Sequence, residues 1–221
     1  MGDNLAKRLA AEGLGSFFLF ATVIGSGIMA ANLSGGNIAL TLLANAIATG
    51  AILFVLITMF GPVSGAHMNP AVSLVAASRR ELPWADAAAY VAAQLAFGIL
   101  GVWAAHAMFD LPILQLSAKA RTGFGQGFGE AIATFGLILT ILGTVHHRRE
   151  WVAPAVALYI TAAYWFTSST SFANPAITVA RSLSDTFAGI SPHDAPLFIV
   201  AQLIGAALAA LTAKWLFPPA A

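Results

Sequence analysis

The tripeptide Asn-Pro-Ala occurs twice in this chain, as Asn69, Pro70 and Ala71 and again as Asn174, Pro175 and Ala176. Asparagine caps the free amides at the start of a helix, and proline at the first helical position gives up only an amide that would have no partner. We therefore predict a short helix that begins at each motif and carries partial positive charge at its start. Both motifs lie in apolar sequence. Two such helix starts meeting inside a membrane would form a pore centre hostile to cations.

The composition is that of a membrane protein. Hydrophobic residues make up 59% of the 221 residues and charged residues only 9%, which excludes an ordinary soluble domain. Cysteine is absent, which excludes disulfides and thiolate metal sites, and the net charge of +1 indicates no nucleic-acid partner. We expect no enzyme activity, cofactor or metal, because the sequence shows no nucleophile–base pair, phosphate-binding loop or set of metal ligands.

Six apolar stretches approach the roughly 20 residues that a membrane-spanning helix needs, although the fifth is short. We place them at about Leu9–Ala31, Asn37–Phe60, Asp86–His106, Gly127–Val145, Trp151–Thr167 and Pro196–Phe217. The motif segments, Asn69–Ser78 and Asn174–Leu183, are too short to span and must enter and leave by the same side. The predicted fold is an all-α membrane protein with six transmembrane helices and two re-entrant half-helices, with non-helical backbone at Gly61–Met68 before the first.

Two other segments also recur, one containing glutamate and one containing glutamine. They are Ala11–Phe17 with Gly129–Phe135, and Val91–Leu95 with Ile199–Leu203. Because each half has three spans, an odd number, the second half enters the membrane in the opposite direction. Such inverted repeats place the functional site at the midplane between them. We predict a single transmembrane channel domain over residues 1–221, with repeats at about 1–110 and 124–221.

The basic residues are distributed unevenly between the two sides that these spans define. One side has only Lys119, Arg121 and Arg181. The other has Lys7, Arg8, Arg79, Arg80, Arg148, Arg149 and Lys214. The positive-inside rule makes the richer side cytoplasmic. We therefore expect a multi-pass protein of the cell's inner (plasma) membrane with both termini in the cytoplasm.

Together these features resemble the aquaporin (major intrinsic protein) family, and the resemblance covers nearly the whole chain. It implies a passive channel embedded in a lipid bilayer, usually a homotetramer with one pore in each subunit. By this likeness Asn69 and Asn174 line the pore centre and donate from their amides to a passing solute, unless they serve only as helix caps. The resemblance also makes Glu12 and Glu130 structural braces that accept hydrogen bonds from the re-entrant segments; proton relay is the alternative role.

The chain departs from the family directly after the second motif. Most members have an arginine there, at the narrowest point of the pore, and this chain has Ile177. Spacing from the two asparagines assigns the other three positions of this selectivity filter to Thr49, Ala162 and Ser171. Such a ring has no aromatic residue and no charge. We therefore expect a wide, uncharged filter that admits small neutral solutes, namely water, glycerol and other polyols.

Arg181 complicates this expectation, because it lies four residues after Ile177, on the same helix face and one turn outward. Its side chain could extend into the outer vestibule and restore positive potential there. Alternatively it pairs with Asp185, again four residues on, and we favour this pairing.

The aliphatic residue at 177 and the segment 178–190 resemble a bacterial aquaporin subgroup often associated with arsenic-resistance genes. This likeness implies arsenite as a further solute, because arsenous acid is uncharged at neutral pH and mimics a small polyol. Three alternatives stay open. The first is a water or ammonia pore in which Phe172 closes the ring. The second is a coupled secondary transporter, and the third is a junctional or scaffold protein.

Overall fold

The computed structural model describes residues 4–217, and all the regular elements in this range are helices. They are α1 (Leu5–Leu33), α2 (Ile38–Ser64), α3 (Pro70–Ser78), α4 (Trp84–Met108), α5 (Phe124–His147), a 3-10 turn (Arg149–Trp151), α6 (Val152–Phe166), α7 (Pro175–Arg181) and α8 (Ala195–Leu216). The predicted all-α class is confirmed. The predicted domain bounds, residues 1 and 221, lie outside the described residues.

Five of these helices, α1, α2, α4, α5 and α8, are long and apolar enough to cross a membrane. The sixth predicted span is α6, which has 15 residues. At 1.5 Å per residue it is about 22 Å long, shorter than the roughly 30 Å of the hydrocarbon core. The 3-10 turn immediately before α6 lengthens this segment, so the short apolar stretch in the sequence corresponds to a short helix.

The half-helices α3 and α7 begin where the two motifs predict. Asn69 caps α3 by accepting from the amide of Ala71, and Asn174 caps α7 by accepting from the amides of Ala176 and Ile177. The prediction for the backbone before α3 is partly wrong. α2 continues through Pro62 to Ser64, because the turn after the proline is still closed by the amide of Gly65, which donates to the carbonyl of Gly61.

The two halves pack in the same way, with α1 along α4 and α5 along α8. Glycine permits both close approaches: a Cβ on Gly101 would overlap the carbonyl oxygen of Phe17, and one on Gly205 would overlap that of Ala131. Apolar side chains such as Leu158 are exposed on the outer surface. That exposure fits a protein whose outside contacts lipid tails rather than water.

Candidate functional site

The two motifs are tied to each other at the centre of the molecule. The Nδ2 of Asn69 donates to the carbonyl of Ala173 at 2.8 Å, and the Nδ2 of Asn174 donates to the carbonyl of Met68 at 2.8 Å. Each carbonyl belongs to the residue that precedes the other asparagine, so the helix starts of α3 and α7 face each other. A side-chain amide has two N–H groups, and these bonds use one of them. Both asparagines line the same cavity.

The backbone before each motif is strained at matching positions. Ala66 and Met68 have φ angles of 50° and 48°, and Ser171 and Ala173 have φ angles of 50° and 48°. The left-handed region costs a residue with a side chain roughly 1–2 kcal/mol. These segments therefore need interactions from outside themselves to keep their conformation.

Glu12 supplies those interactions for the first segment. One of its oxygens accepts from the amide of His67 at 2.8 Å and from the Ser64 hydroxyl at 2.7 Å. The other accepts from the amide of Met68 at 2.6 Å and from the Nε2 of Gln94 at 2.8 Å. Glu12 is fully buried. It thus satisfies backbone amides that the helices leave unpaired.

Glu130 makes the equivalent contacts in the second half. Its carboxylate accepts from the amides of Phe172 and Ala173 at 2.7 and 2.8 Å, and from the Nε2 of Gln202 at 2.5 Å. Sequence reasoning gave no role to the two glutamines. The signal was present, because Gln94 and Gln202 lie at matching positions of the segments that recur in the two halves.

The cavity that the two asparagines line has a volume of about 770 Å³. Near one end its lining includes Glu81, Arg149 and Glu150. Its lining also includes Thr49, Tyr164, Ser171, Phe172, Ile177 and Arg181. Three of the four predicted filter positions, Thr49, Ser171 and Ile177, therefore line one cavity.

The prediction for Ala162 is wrong. Its side chain is exposed on the outside of α6 and does not line the cavity, whereas Tyr164, two residues further on, is buried and does. The Tyr164 hydroxyl lies 3.1 Å from the Oγ1 of Thr49. Counting back from Asn174 crosses the link between the end of α6 at Phe166 and the start of α7 at Pro175, and it does not establish which face of α6 lines the cavity. The expected absence of an aromatic residue from the ring is therefore also wrong.

The preferred pairing of Arg181 with Asp185 is wrong as well. Asp185 accepts from the amide of Ala118 at 2.9 Å. The Nε of Arg181 instead donates to the carbonyl of Ala188, and its guanidinium carbon lies 3.3 Å from the centre of the Phe172 ring. Arg181 is 2% exposed and lines the cavity. The ring region consequently contains a cation, contrary to the expectation of an uncharged filter.

Three cations bind three consecutive carbonyls on this side of the molecule. Lys119 donates to Phe187, Arg181 to Ala188, and Arg121 to Gly189. We call residues 187–189 the carbonyl clamp. Of the three cations only Arg181 lines the cavity. The clamp joins the link between α4 and α5 to the segment that follows α7.

The position of Lys119 in this clamp changes its pKa. Partial burial, and secondarily the charges of Arg121 and Arg181, lower the pKa of the Lys119 ammonium from 10.5 to about 8. Burial likewise lowers the pKa of Arg121, to about 10, which leaves it protonated at neutral pH. Lys119 is therefore the clamp cation that loses its proton at mildly alkaline pH.

Comparison with known proteins gives consistent matches over the whole length. The family model described as Major intrinsic protein matches residues 3–167 and 150–220. The chain is 55% identical over 217 residues to aquaglyceroporin AqpS of Rhizobium meliloti (strain 1021), covering 98% of this chain and 93% of that one. It is 32% identical over 248 residues to aquaporin AqpM of Methanothermobacter thermautotrophicus, covering 96% and 98%. The solved aquaglyceroporin from Plasmodium falciparum matches with a TM-score of 0.77 over 98% of both chains; at 21% identity it shows the fold alone.

Replacing Glu130 by glutamine tests the brace. The amide keeps one acceptor oxygen, so the amide of Phe172 or Ala173 must face an NH₂ group in a buried site. We expect the free energy of unfolding to fall by about 1–3 kcal/mol, seen as a lower thermal unfolding midpoint of the detergent-purified protein by circular dichroism. Glu81→Gln is the control, because within residues 4–217 that exposed carboxylate pairs with Arg79 and accepts from no re-entrant amide. Equal midpoints for the two variants would contradict the brace.

Lys119 should make the stability of the folded protein depend on pH. Between pH about 8 and 10.5 the unfolded chain holds more protons at this side chain than the folded chain, so its contribution to stability rises with pH. We compare the unfolding midpoint of the wild type with that of Lys119→Met at about pH 7 and about pH 9.5. The difference should move in favour of the wild type at the higher pH. A difference that does not change with pH would show that burial does not perturb this ammonium.

Proposed function

The chain belongs to the major intrinsic protein family, and on that premise we propose that it is a passive channel for glycerol, other small neutral polyols and water. The main observation behind the proposal is a single cavity lined by both asparagines and by Thr49, Ile177 and Arg181. The names of the relatives add support, since AqpS is called an aquaglyceroporin and AqpM an aquaporin. No enzyme activity, cofactor or metal is part of the proposal.

At the pore centre, selection rests on the two asparagines. Each has a second amide N–H beyond the one that binds the opposite backbone. A solute oxygen that accepts from both has its own hydrogens directed away, which interrupts a chain of hydrogen-bonded water. The facing starts of α3 and α7 add positive potential against hydronium and metal cations. Neutral molecules with a hydrogen-bond acceptor therefore pass most readily.

Coupling to an ion gradient is not part of this mechanism. A coupled transporter needs ionisable groups in the membrane that change their partners during transport. The oxygens of Glu12 and Glu130 instead accept four and three hydrogen bonds from the protein. These fixed bonds favour a structural role for both carboxylates and an uncoupled channel.

We propose arsenous acid as a further solute. It is uncharged at neutral pH and carries three hydroxyl groups, so its outer surface is similar to that of a small polyol. Ile177 in the filter region gives an apolar contact and Ser171 a hydroxyl contact. A pore that accepts glycerol through these contacts accepts a trihydroxide of similar size.

The placement in the cell and the assembly are proposed on family grounds and on charge. We propose the plasma membrane with both termini cytoplasmic, supported by the seven basic residues predicted on the side of the termini against three on the other.

We propose a homotetramer in the lipid bilayer, with one pore per subunit. The mass of the detergent-solubilised complex measured by light scattering should equal four chains; a monomer mass would reject the tetramer.

A water or ammonia pore is the second candidate, and one observation favours it. Phe172 and Tyr164 both line the cavity in the filter region, and two aromatic side chains narrow a passage. A pore closed to glycerol by these rings would still pass water.

Stopped-flow light scattering of proteoliposomes separates the two candidates. We expect the wild type to conduct glycerol, arsenous acid and water. Ile177→Arg adds a long cation beside Arg181, and should lower glycerol and arsenous acid flux relative to water flux about tenfold, a barrier of about 1.4 kcal/mol. Ile177→Leu is the matched neutral control and should keep the wild-type ratio.

Three outcomes would change this proposal. Water flux without glycerol flux in the wild type would favour the second candidate and remove arsenous acid. Solute flux that follows an imposed proton or sodium gradient would identify a coupled transporter. Liposomes with correctly folded protein and no flux of any solute would leave a junctional or scaffold role.

A further inference from the structure

We propose that Arg181 supplies the filter cation of this channel from one helical turn beyond Ile177, and that it is therefore a specificity-determining residue. The proposal rests on the channel function proposed above. It assigns the charge at the outer constriction to a residue outside the four positions that spacing from the motifs identifies. Three observations carry it: the direction of the side chain, the way its charge is held, and the polar groups around it.

The direction of helical side chains brings Arg181 back toward Ile177. In an α-helix the Cα–Cβ bonds tilt toward the N-terminus, so a long side chain covers the turn before its own. Four residues correspond to a rise of about 6 Å, a distance that an extended arginine side chain can recover. Both side chains line the same cavity. An arginine at 181 can thus place its guanidinium near the level where residue 177 lies.

Arg181 forms no ion pair with a carboxylate within residues 4–217. Its guanidinium is held by the carbonyl of Ala188 and by the face of the Phe172 ring. The charge of Glu130 also favours the cation, but this carboxylate accepts its hydrogen bonds from the backbone of the second re-entrant segment and from Gln202. Since no carboxylate binds the guanidinium directly, positive potential persists in the cavity.

The surrounding polar groups form a site for a solute with adjacent hydroxyls. A guanidinium has five N–H donors, and the bond to Ala188 uses only the one on Nε. Ser171 lines the cavity, and its Oγ has no hydrogen-bond partner within residues 4–217. Arginine donors and a free serine hydroxyl bind the oxygens of a polyol, while the apolar Ile177 contacts its carbons. The site fits a vicinal polyol better than a single water molecule.

The first test removes the charge and keeps the bulk of the side chain. Arg181→Met in proteoliposomes should raise proton flux, followed with an internal pH dye, at least about tenfold, because a positive charge no longer opposes hydronium at the outer constriction. Lys119→Met is the matched control. It removes a cation from the same carbonyl clamp, but Lys119 does not line the cavity, so proton flux should stay at the wild-type value.

A second variant returns the charge one turn earlier. Ile177→Arg combined with Arg181→Met should bring proton flux back to the wild-type value, since the filter again contains one arginine. A folded Arg181→Met protein with wild-type proton flux and wild-type glycerol-to-water ratio would overturn the proposal. So would a double variant that leaks protons as the single variant does.

Arg181→Lys keeps the test decisive if Arg181→Met does not fold. Lysine preserves the charge and lacks the planar set of donors. We expect proton exclusion to be kept and the glycerol-to-water flux ratio to fall at least about fivefold, a loss comparable to that of one good hydrogen bond. An unchanged ratio would overturn the role in polyol selection. Absence of glycerol flux in the wild type would reject the proposed function as a polyol channel. The measurement of proton flux would still decide whether Arg181 is the filter cation.

Discussion

Two stretches of non-helical backbone lie deep in this protein, and the structure depends on giving their amides hydrogen-bond partners. In the hydrocarbon region no water can do so, and an unpaired amide costs several kcal/mol. Glu12 and Glu130 accept the amides that precede each motif, and Gln94 and Gln202 hold the two carboxylates. The left-handed residues before each asparagine persist because these bonds fix them. Two buried carboxylates thus hold the backbone that leads into each half-helix.

The arrangement at the centre is symmetric, and the arrangement at the filter is not. Asn69 and Asn174 bind each other's preceding carbonyl at the same distance of 2.8 Å. Among the described residues that line the cavity near Ile177, the cation Arg181 and the aromatic residues Tyr164 and Phe172 all come from the second half. The repeated bonds build the passage, while the residues that break the repeat give its outer part a distinct chemistry. In the channel that we propose, both asparagines oppose cations at the centre, while Arg181 opposes cations and also takes part in selection among neutral solutes.

Features that depend on neighbouring residues, such as the two helix starts, could be predicted from the sequence. The residue of α6 that lines the cavity could not, because its position depends on how α6 is joined to α7. Asparagine followed by proline marks a helix start wherever it occurs, and both starts lie at the predicted residues. The assignment of Ala162 depends on the end and the rotation of α6, which the sequence does not give, and Tyr164 lines the cavity instead. The pairing of Arg181 with Asp185 assumed a continuing helix. Since α7 ends at Arg181, the spacing of four residues no longer places the two side chains on one face.

The carbonyl clamp, residues 187–189, has a consequence for how this segment tolerates sequence change. The three cations bind main-chain oxygens, which every amino acid provides, so these hydrogen bonds do not by themselves select the side chains. Gly189 is nevertheless restricted, because a Cβ there would overlap the carbonyl oxygen of Ser184. The register of the segment is restricted as well. Deleting or inserting a single residue would displace three carbonyls at once from Lys119, Arg181 and Arg121. Homologous loops grafted into this position should therefore be matched in length before they are matched in composition.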